Sequence, residues 1–200
     1  MNILENIIEK KKIEVEKRKQ ATSISELERM PFFLRETFSF SDFLVRKDKT
    51  GIIAEFKRKS PSKGIINNHS FVSDITKDYV KYGASAVSVL TDEEFFGGAL
   101  QDLSDARINE VPLLRKDFII DEYQLAESKA YGADVILLIA ACLTKREVKT
   151  LATFAKNIGL NVLLEIHKEE ELEHICEEVD VVGINNRDLK SFKVDINHSV

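Results

Sequence analysis

Ile52-Ile53-Ala54-Glu55-Phe56-Lys57 is the stretch on which the fold turns. Side chains along a strand alternate between faces, so Ile52, Ala54 and Phe56 share one side and Ile53, Glu55 and Lys57 the other. The first set suits a covering layer of helices. The second ends in two opposite charges at the strand's C-terminal end, where a sheet sandwiched between helix layers would have to bury them. A barrel open at that end does not. Val162-Leu163-Leu164-Glu165-Ile166 repeats the arrangement, with Leu164 and Ile166 outward and Glu165 inward. Val181-Val182-Gly183-Ile184-Asn185-Asn186-Arg187 does so again, with Gly183, Asn185 and Arg187 inward.

Outward from these three, short apolar runs fall at 52–56, 84–90, 111–114, 134–139, 162–166 and 181–184, with helical stretches between them. That is the rhythm of repeated βα units and parallel strands. An internal echo supports it: Tyr82-Gly83-Ala84-Ser85-Ala86-Val87 recurs as Tyr131-Gly132-Ala133-Asp134-Val135-Ile136. Each copy reads as a helix end, a glycine cap and a strand start. An open doubly wound sheet and a barrel both fit this order, and the charged strand ends favour the barrel. The expected fold class is therefore α/β, a (β/α)8 TIM barrel of which about six units are present, spanning 49–200 and incomplete at the C-terminus. Residues 1–48 read as an N-terminal helical extension. It opens with an amphipathic helix over about 2–20 (Ile3, Leu4, Ile7, Ile8, Ile13) and ends in an aromatic segment whose Phe32, Phe33, Phe38, Phe40 and Phe43 pack on the body.

Composition narrows the function. With 29 Lys+Arg against 34 Asp+Glu the net charge is −5, which argues against a nucleic-acid partner. No run of 18 apolar residues occurs and the N-terminus is charged throughout, so neither a membrane partner nor a signal peptide is expected, and the cytoplasm is the expected compartment. Cys142 and Cys176 have no metal-ligand spacing and read as reduced thiols, so no metal is implied. His69, His167, His174 and His198 form no ligand pattern and read as surface or loop residues.

In a barrel, Glu55, Lys57, Lys116, Glu165, Asn185 and Arg187 converge on the mouth formed by the strands' C-terminal ends. Such a set can hold an anionic substrate and pass protons between lysines and carboxylates. The competing view of each residue is half of a structural ion pair or a solvated strand end. The loop after the first strand, from Lys57 to about Val72, carries Lys57, Arg58, Lys59 and Lys63 with Ser60 and Ser62, a composition suited to phosphate or carboxylate. A second loop, Thr91 to Gly98, sets Phe95 and Phe96 beside a glycine pair and could supply an apolar wall or a lid, with Phe95 equally well read as packing.

Five segments in order resemble one known family. They are Ile53-Ala54-Glu55-Phe56-Lys57-Arg58-Lys59-Ser60-Pro61-Ser62, then Leu90-Thr91-Asp92 through Phe96-Gly97-Gly98, Leu114-Arg115-Lys116-Asp117-Phe118-Ile119, Leu163-Leu164-Glu165, and Gly183-Ile184-Asn185-Asn186-Arg187-Asp188-Leu189. Together they resemble the signatures of indole-3-glycerol-phosphate synthase, a (β/α)8 lyase of tryptophan biosynthesis. The resemblance implies a cofactor-free ring closure, decarboxylation and dehydration of 1-(2-carboxyphenylamino)-1-deoxyribulose 5-phosphate. The partner would be that small phosphosugar with its anthranilate moiety, and a monomer is the working expectation. Carried over, Lys116 looks like the principal general acid, Glu165 the general base and Lys57 a second acid. Glu55 would orient the lysines, Asn185 and Arg187 would hold hydroxyl and carboxylate groups, Ser60 would lie on the contacting loop, and Phe96, Phe118 and Leu137 would wall the ring. The family's seventh and eighth βα units are not in these 200 residues, so a truncated barrel is expected, with activity for the complete chain. Two alternatives stay open: a non-catalytic barrel fragment or assembly module that keeps an anion site, and another phosphosugar barrel such as phosphoribosylanthranilate isomerase.

Overall fold

The computed structural model of the chain describes residues 3–187. Within them six parallel strands, β1 Ile53–Phe56, β2 Ala86–Leu90, β3 Leu113–Lys116, β4 Val135–Ile139, β5 Asn161–Ile166 and β6 Val181–Ile184, pair strictly in chain order. Parallel neighbours in sequential order need a crossover each time, and helices supply most of them: α4 Val72–Lys81, α6 Leu100–Ala106, α7 Glu122–Ala130 and α8 Lys145–Asn157. A short 3-10 helix, Glu169–His174, makes the last. A flat sheet of six strands would hold its edges about 24 Å apart at about 4.8 Å per strand. Here Glu55 on β1 and Asn185 just after β6 line one cavity, so the sheet is curled into a partial barrel.

The two faces divide as the alternation predicts. Phe56, Val87, Val89, Leu113, Ile136, Leu138, Val162, Leu164 and Ile166 point outward into a core shared with the helices. Helix α8 shows why its residues fold there. Thr144-Lys145-Arg146-Glu147 is a reciprocal capping box, in which Thr144 Oγ1 accepts the Glu147 N–H and Glu147 Oε2 accepts the Thr144 N–H at 2.7 Å. Val148, Leu151, Ala152 and Ala155 then bury one stripe at helical spacing. The inner face carries Ala86, Leu114, Val135, Leu137 and Ile139, closed at the N-terminal end by fully buried Phe40. Phe40 begins α3 Phe40–Val45, and Asn161 holds it in place: its side-chain oxygen accepts the Phe40 N–H, and its amide donates to the Phe38 carbonyl at 3.0 Å.

The echoed motif marks a structural rule. The residue just before β2, β4 or β6 turns a side-chain oxygen back to a backbone N–H that begins, or shortly precedes, an adjoining strand. Ser85 Oγ accepts from Gly51, Asp134 Oδ2 from Leu113 and Asp180 Oδ2 from Val162, each at 2.8 Å. Asp134 does most, since it also accepts from the Phe38 N–H at 2.9 Å and Arg35 Nη2 at 2.6 Å and pairs with Arg107.

Two expectations are corrected. The third strand runs to Lys116 and not from 111 to 114, because fully buried Arg115 has its charge met by Asp117 at 2.9 Å and Glu127 at 3.3 Å, so the ladder continues past the end of the apolar run. In α1 Ile3–Ala21 the buried stripe is Ile7, Lys11 and Val15, while Ile13 is exposed. The five aromatics pack on the body as expected: Phe40 is fully buried, while half-buried Phe33 and Phe43 join the apolar clusters, Phe32 lies against Gly132 and Phe38 lies under Arg107. The helices α1 and α2 Ile24–Leu27 lie against α7, where Tyr123 Oη donates to the carbonyls of Arg18 and Thr22 at 2.9 Å.

Candidate active site

A cavity of about 380 Å³ opens at the C-terminal ends of the strands. Glu55, Lys57, Ser60, Phe96, Lys116, Phe118, Leu137, Glu165, Asn185 and Arg187 all line it. Each is there for a local reason. Glu55, Lys116 and Glu165 sit at inward positions near strand ends, where the ladder fixes the backbone and the bowl leaves room for a polar head. Lys116 Nζ lies 3.4 Å from Glu165 Oε2, and Asn185 Nδ2 donates to Glu165 Oε1 at 3.0 Å. Lys57 and Glu55 form a second ion pair two residues apart on the same inward face. Both pairs keep part of their surface open to the cavity, so a bound anion can compete for the ammonium groups.

Opposite the charges stands an apolar slot. The rings of Phe96 and Phe118 are 6.2 Å apart between centroids, tilted by 38°, with Leu137 below. Phe96 ends α5 Glu93–Phe96, a single turn capped by Asp92, whose Oδ1 accepts the Phe95 N–H at 2.8 Å. Gly97 follows with φ +66°, and Gly98 returns under the strand. A Cβ on Gly98 would stand 2.0 Å from the Leu90 carbonyl oxygen, so no other residue fits.

The loop after β1 differs from its composition. Lys59–Ser60 and Gly64–Ile65 form a small antiparallel hairpin. Arg58 pairs with Asp102 and lies over the Phe56 ring, while Lys59 donates to the Glu94 carbonyl at 2.6 Å. These two cations fasten the loop to α5 and α6, leaving Lys57 and the serines on the cavity. Ser60 is buried and accepts the Lys63 N–H at 3.2 Å.

Sequence reasoning missed the charges behind this wall. Asp117 is fully buried and accepts from Thr91 Oγ1 at 2.6 Å and Arg115 at 2.9 Å, with Lys11 2.9 Å away. Burial alone would raise its pKa, but Lys11 and Arg115 outweigh that and hold the carboxyl well below the usual range. Nothing in the Lys10-Lys11-Lys12 run separates the buried lysine from its neighbours except position on the Ile7–Val15 stripe. The reading of the histidines holds for exposed His69, and His167 lies in the bend after β5, but the His167 ring is buried. His167 is buried between two carboxylates, Nε2 3.4 Å from Glu165 Oε1 and Nδ1 3.6 Å from Glu171 Oε2. His174 lies within 3.0 Å of the Leu143 carbonyl. His198, and Asp188 and Leu189 of the last motif, lie outside the described residues. Close to Glu165, burial pushes the Cys142 thiol up to about 12, helped by the charges of Glu165 and Glu171.

Among the described residues no group of His, Cys, Asp and Glu is placed to hold a metal, and no helix is long and apolar enough to cross a membrane. Residues 4–200 match the family model described as indole-3-glycerol phosphate synthase. Proteins of that name are similar along almost the whole chain. The one from Bacteroides thetaiotaomicron is 49% identical over 199 residues, 99% of this chain and 76% of its own length. The one from Caldanaerobacter subterraneus subsp. tengcongensis is 47% identical, over 97% of this chain and 75% of its own length. That from Salinibacter ruber is 44% identical over 100% and 75%. The chain thus spans about three-quarters of the length of these relatives. With the motifs in order, the cavity at the strand ends and these likenesses together, the chain belongs to the indole-3-glycerol phosphate synthase family.

Proposed function

We propose that the cavity closes the indole ring of 1-(2-carboxyphenylamino)-1-deoxyribulose 5-phosphate, giving indole-3-glycerol phosphate, carbon dioxide and water. The observation that carries this reading is the 3.4 Å approach of Lys116 to Glu165 at the rim of an aromatic slot. The benzoate ring packs against the apolar wall of Phe96, Phe118 and Leu137, which presents its carboxylate-bearing carbon to the ketone. Lys116 gives a proton to the ketone oxygen as the ring carbon attacks, so the new bond forms without a free alkoxide. Loss of carbon dioxide returns the bonding electrons to the ring.

The hydroxyl then departs as water with a second proton, and Glu165 removes the hydrogen whose loss completes the indole double bond. Two protons go in and one comes out. The net proton consumed is the one that converting a carboxylate to carbon dioxide requires, and solvent supplies it. Lys57, held by Glu55, is the second donor and meets substrate anions. Asn185 holds Glu165 through its Oε1 while leaving Oε2 toward Lys116. Arg187, exposed at the rim, and Ser60 on the hairpin bind polar substituents. Incubation of the full-length protein with this substrate should raise indole fluorescence with no added metal or cofactor. A protein that binds the substrate and never converts it would leave only an anion-binding module.

A further inference from the structure

Lys11 is the one member of its lysine run that the fold buries. Its side chain is 1% exposed, against 50% and 62% for Lys10 and Lys12. Burying an ammonium is costly unless it is paired on all sides. Here Nζ lies 2.8 Å from Asp92 Oδ2, 2.9 Å from Asp117 Oδ1 and 2.9 Å from Glu14 Oε2. Burial by itself would lower its pKa, but the three carboxylates outweigh that and hold it above the ordinary lysine value, so the charge is permanent.

What those carboxylates hold gives the contact its meaning. Asp92 caps the single turn that ends in Phe96. Asp117 accepts the Phe118 N–H at 2.8 Å through the same oxygen that meets Lys11, and it directly follows Lys116. One ammonium from the N-terminal helix therefore joins the turn bearing one wall of the slot to the turn bearing the other wall and the general acid. The two carboxylates would repel each other without it.

We propose that Lys11 is a positioning residue for the ring closure, its ammonium clamping the Asp92 turn to the Asp117 turn and so setting both the Phe96–Phe118 slot and the place of Lys116. This rests on the proposed reaction and extends it to the helix outside the barrel. A clamp that matters only for folding would change the melting temperature and the folded fraction, and leave kcat per folded molecule intact. A positioning clamp lowers kcat itself, because a displacement of about 1 Å at a reacting pair can cost on the order of 10²-fold.

The test is steady-state turnover of the full-length protein, read by indole fluorescence and normalised to folded protein. Lys11→Gln is expected to lose on the order of 10²-fold in kcat, a larger change than in KM, since the polar contacts at Lys57, Ser60 and Arg187 are untouched. Lys11→Gln/Asp92→Asn removes the repulsion and keeps a capping side chain, and should recover about tenfold of that loss. Wild-type kcat in folded Lys11→Gln, or a double variant no better than the single one, would overturn the proposal. Should Lys11→Gln not fold, Lys11→Arg keeps the charge with a longer head that forces the turns apart. A kcat drop of about tenfold there supports the clamp, and an unchanged kcat overturns it. An unmodified protein without turnover would instead defeat the proposed reaction.

Discussion

Lys116 Nζ and Glu165 Oε2 stand 3.4 Å apart although β4 runs between their strands. Only the curl of the sheet permits it, because inward side chains on alternate strands of a partial barrel lean toward a common axis. On the proposed reaction, the donor and the acceptor that a ring closure needs are brought together by the backbone before substrate arrives. Lys116→Ala and Glu165→Gln are each expected to lower turnover by about 10²–10⁴-fold with far-UV circular dichroism unchanged. Either variant retaining more than about a tenth of wild-type activity would remove that residue from the role assigned to it.

Phe40 closes the floor of the barrel among Ala86, Leu114, Val135 and Leu137. Truncating it leaves a cavity that a curled sheet cannot easily collapse into. Phe40→Ala should cost about 3–5 kcal/mol in urea unfolding. A loss below about 1 kcal/mol would mean the floor is filled by its neighbours.

Asp134 and Asp180 occupy equivalent places before β4 and β6 but carry different loads. Asp134 is fully buried and neutralises Arg35 and Arg107, while Asp180 is partly exposed and meets Lys156 at 2.7 Å. Removing one partner of a buried pair strands the other charge. Asp134→Ala is thus expected to cost about 3–5 kcal/mol, against about 1 kcal/mol for Asp180→Ala. Equal losses would show that the strand-start hydrogen bond matters and the buried arginines do not.

These contrasts show what the sequence discloses. Strand positions and the inward set Glu55, Lys116, Glu165 and Asn185 were legible because period-two alternation is local, and a charge at the end of an apolar run is conspicuous. Phe96 is legible in its glycine-flanked loop as an apolar wall, but Phe118 is reached only through the family resemblance, because ring contact between the two is not a local property. Lys11, Arg115 and Asp117 were illegible for a related reason. A buried charge is tolerated only when partners from distant segments converge on it, and Lys11 meets residues 81 and 106 positions away. The burial of the His167 ring is illegible, because a lone histidine past a strand end says nothing of Glu171, which folds back over it.

The depressed Asp117 carboxyl gives the acid limb of stability a sign. Its pKa is lower folded than unfolded, so its contribution is complete above the ordinary carboxylate value of about 3.9 and drains away as pH falls below it. The urea midpoint of the wild type should drop steadily from about pH 4 down to about pH 2. Asp117→Asn should start lower at neutral pH and slope less through that window. A slope as steep as the wild type's would assign the acid limb to other carboxylates.

Cys142, with its thiol pushed up to about 12, offers a chemical probe. At pH 8 only about one molecule in 10⁴ carries its thiolate, whereas an unperturbed thiol near 8.5 is about a quarter ionised. Thiol titration of Cys176→Ser should therefore be slow in the native protein and complete within the mixing phase in urea. Fast native labelling would place Cys142 outside the shelter of Glu165 and Glu171.

The steric lock at Gly98, with its would-be Cβ 2.0 Å from the Leu90 oxygen, sets the terms for re-tailoring this scaffold to bulkier or heteroaromatic rings. Grafting a foreign segment between Leu90 and Leu100 would have to reproduce that one close crossing or forfeit the seat of Phe96. On the proposed reaction, substrate scope is then tunable by exchanging single rings and aliphatic groups at Phe96, Phe118 and Leu137, while the path of the main chain beneath them is not negotiable.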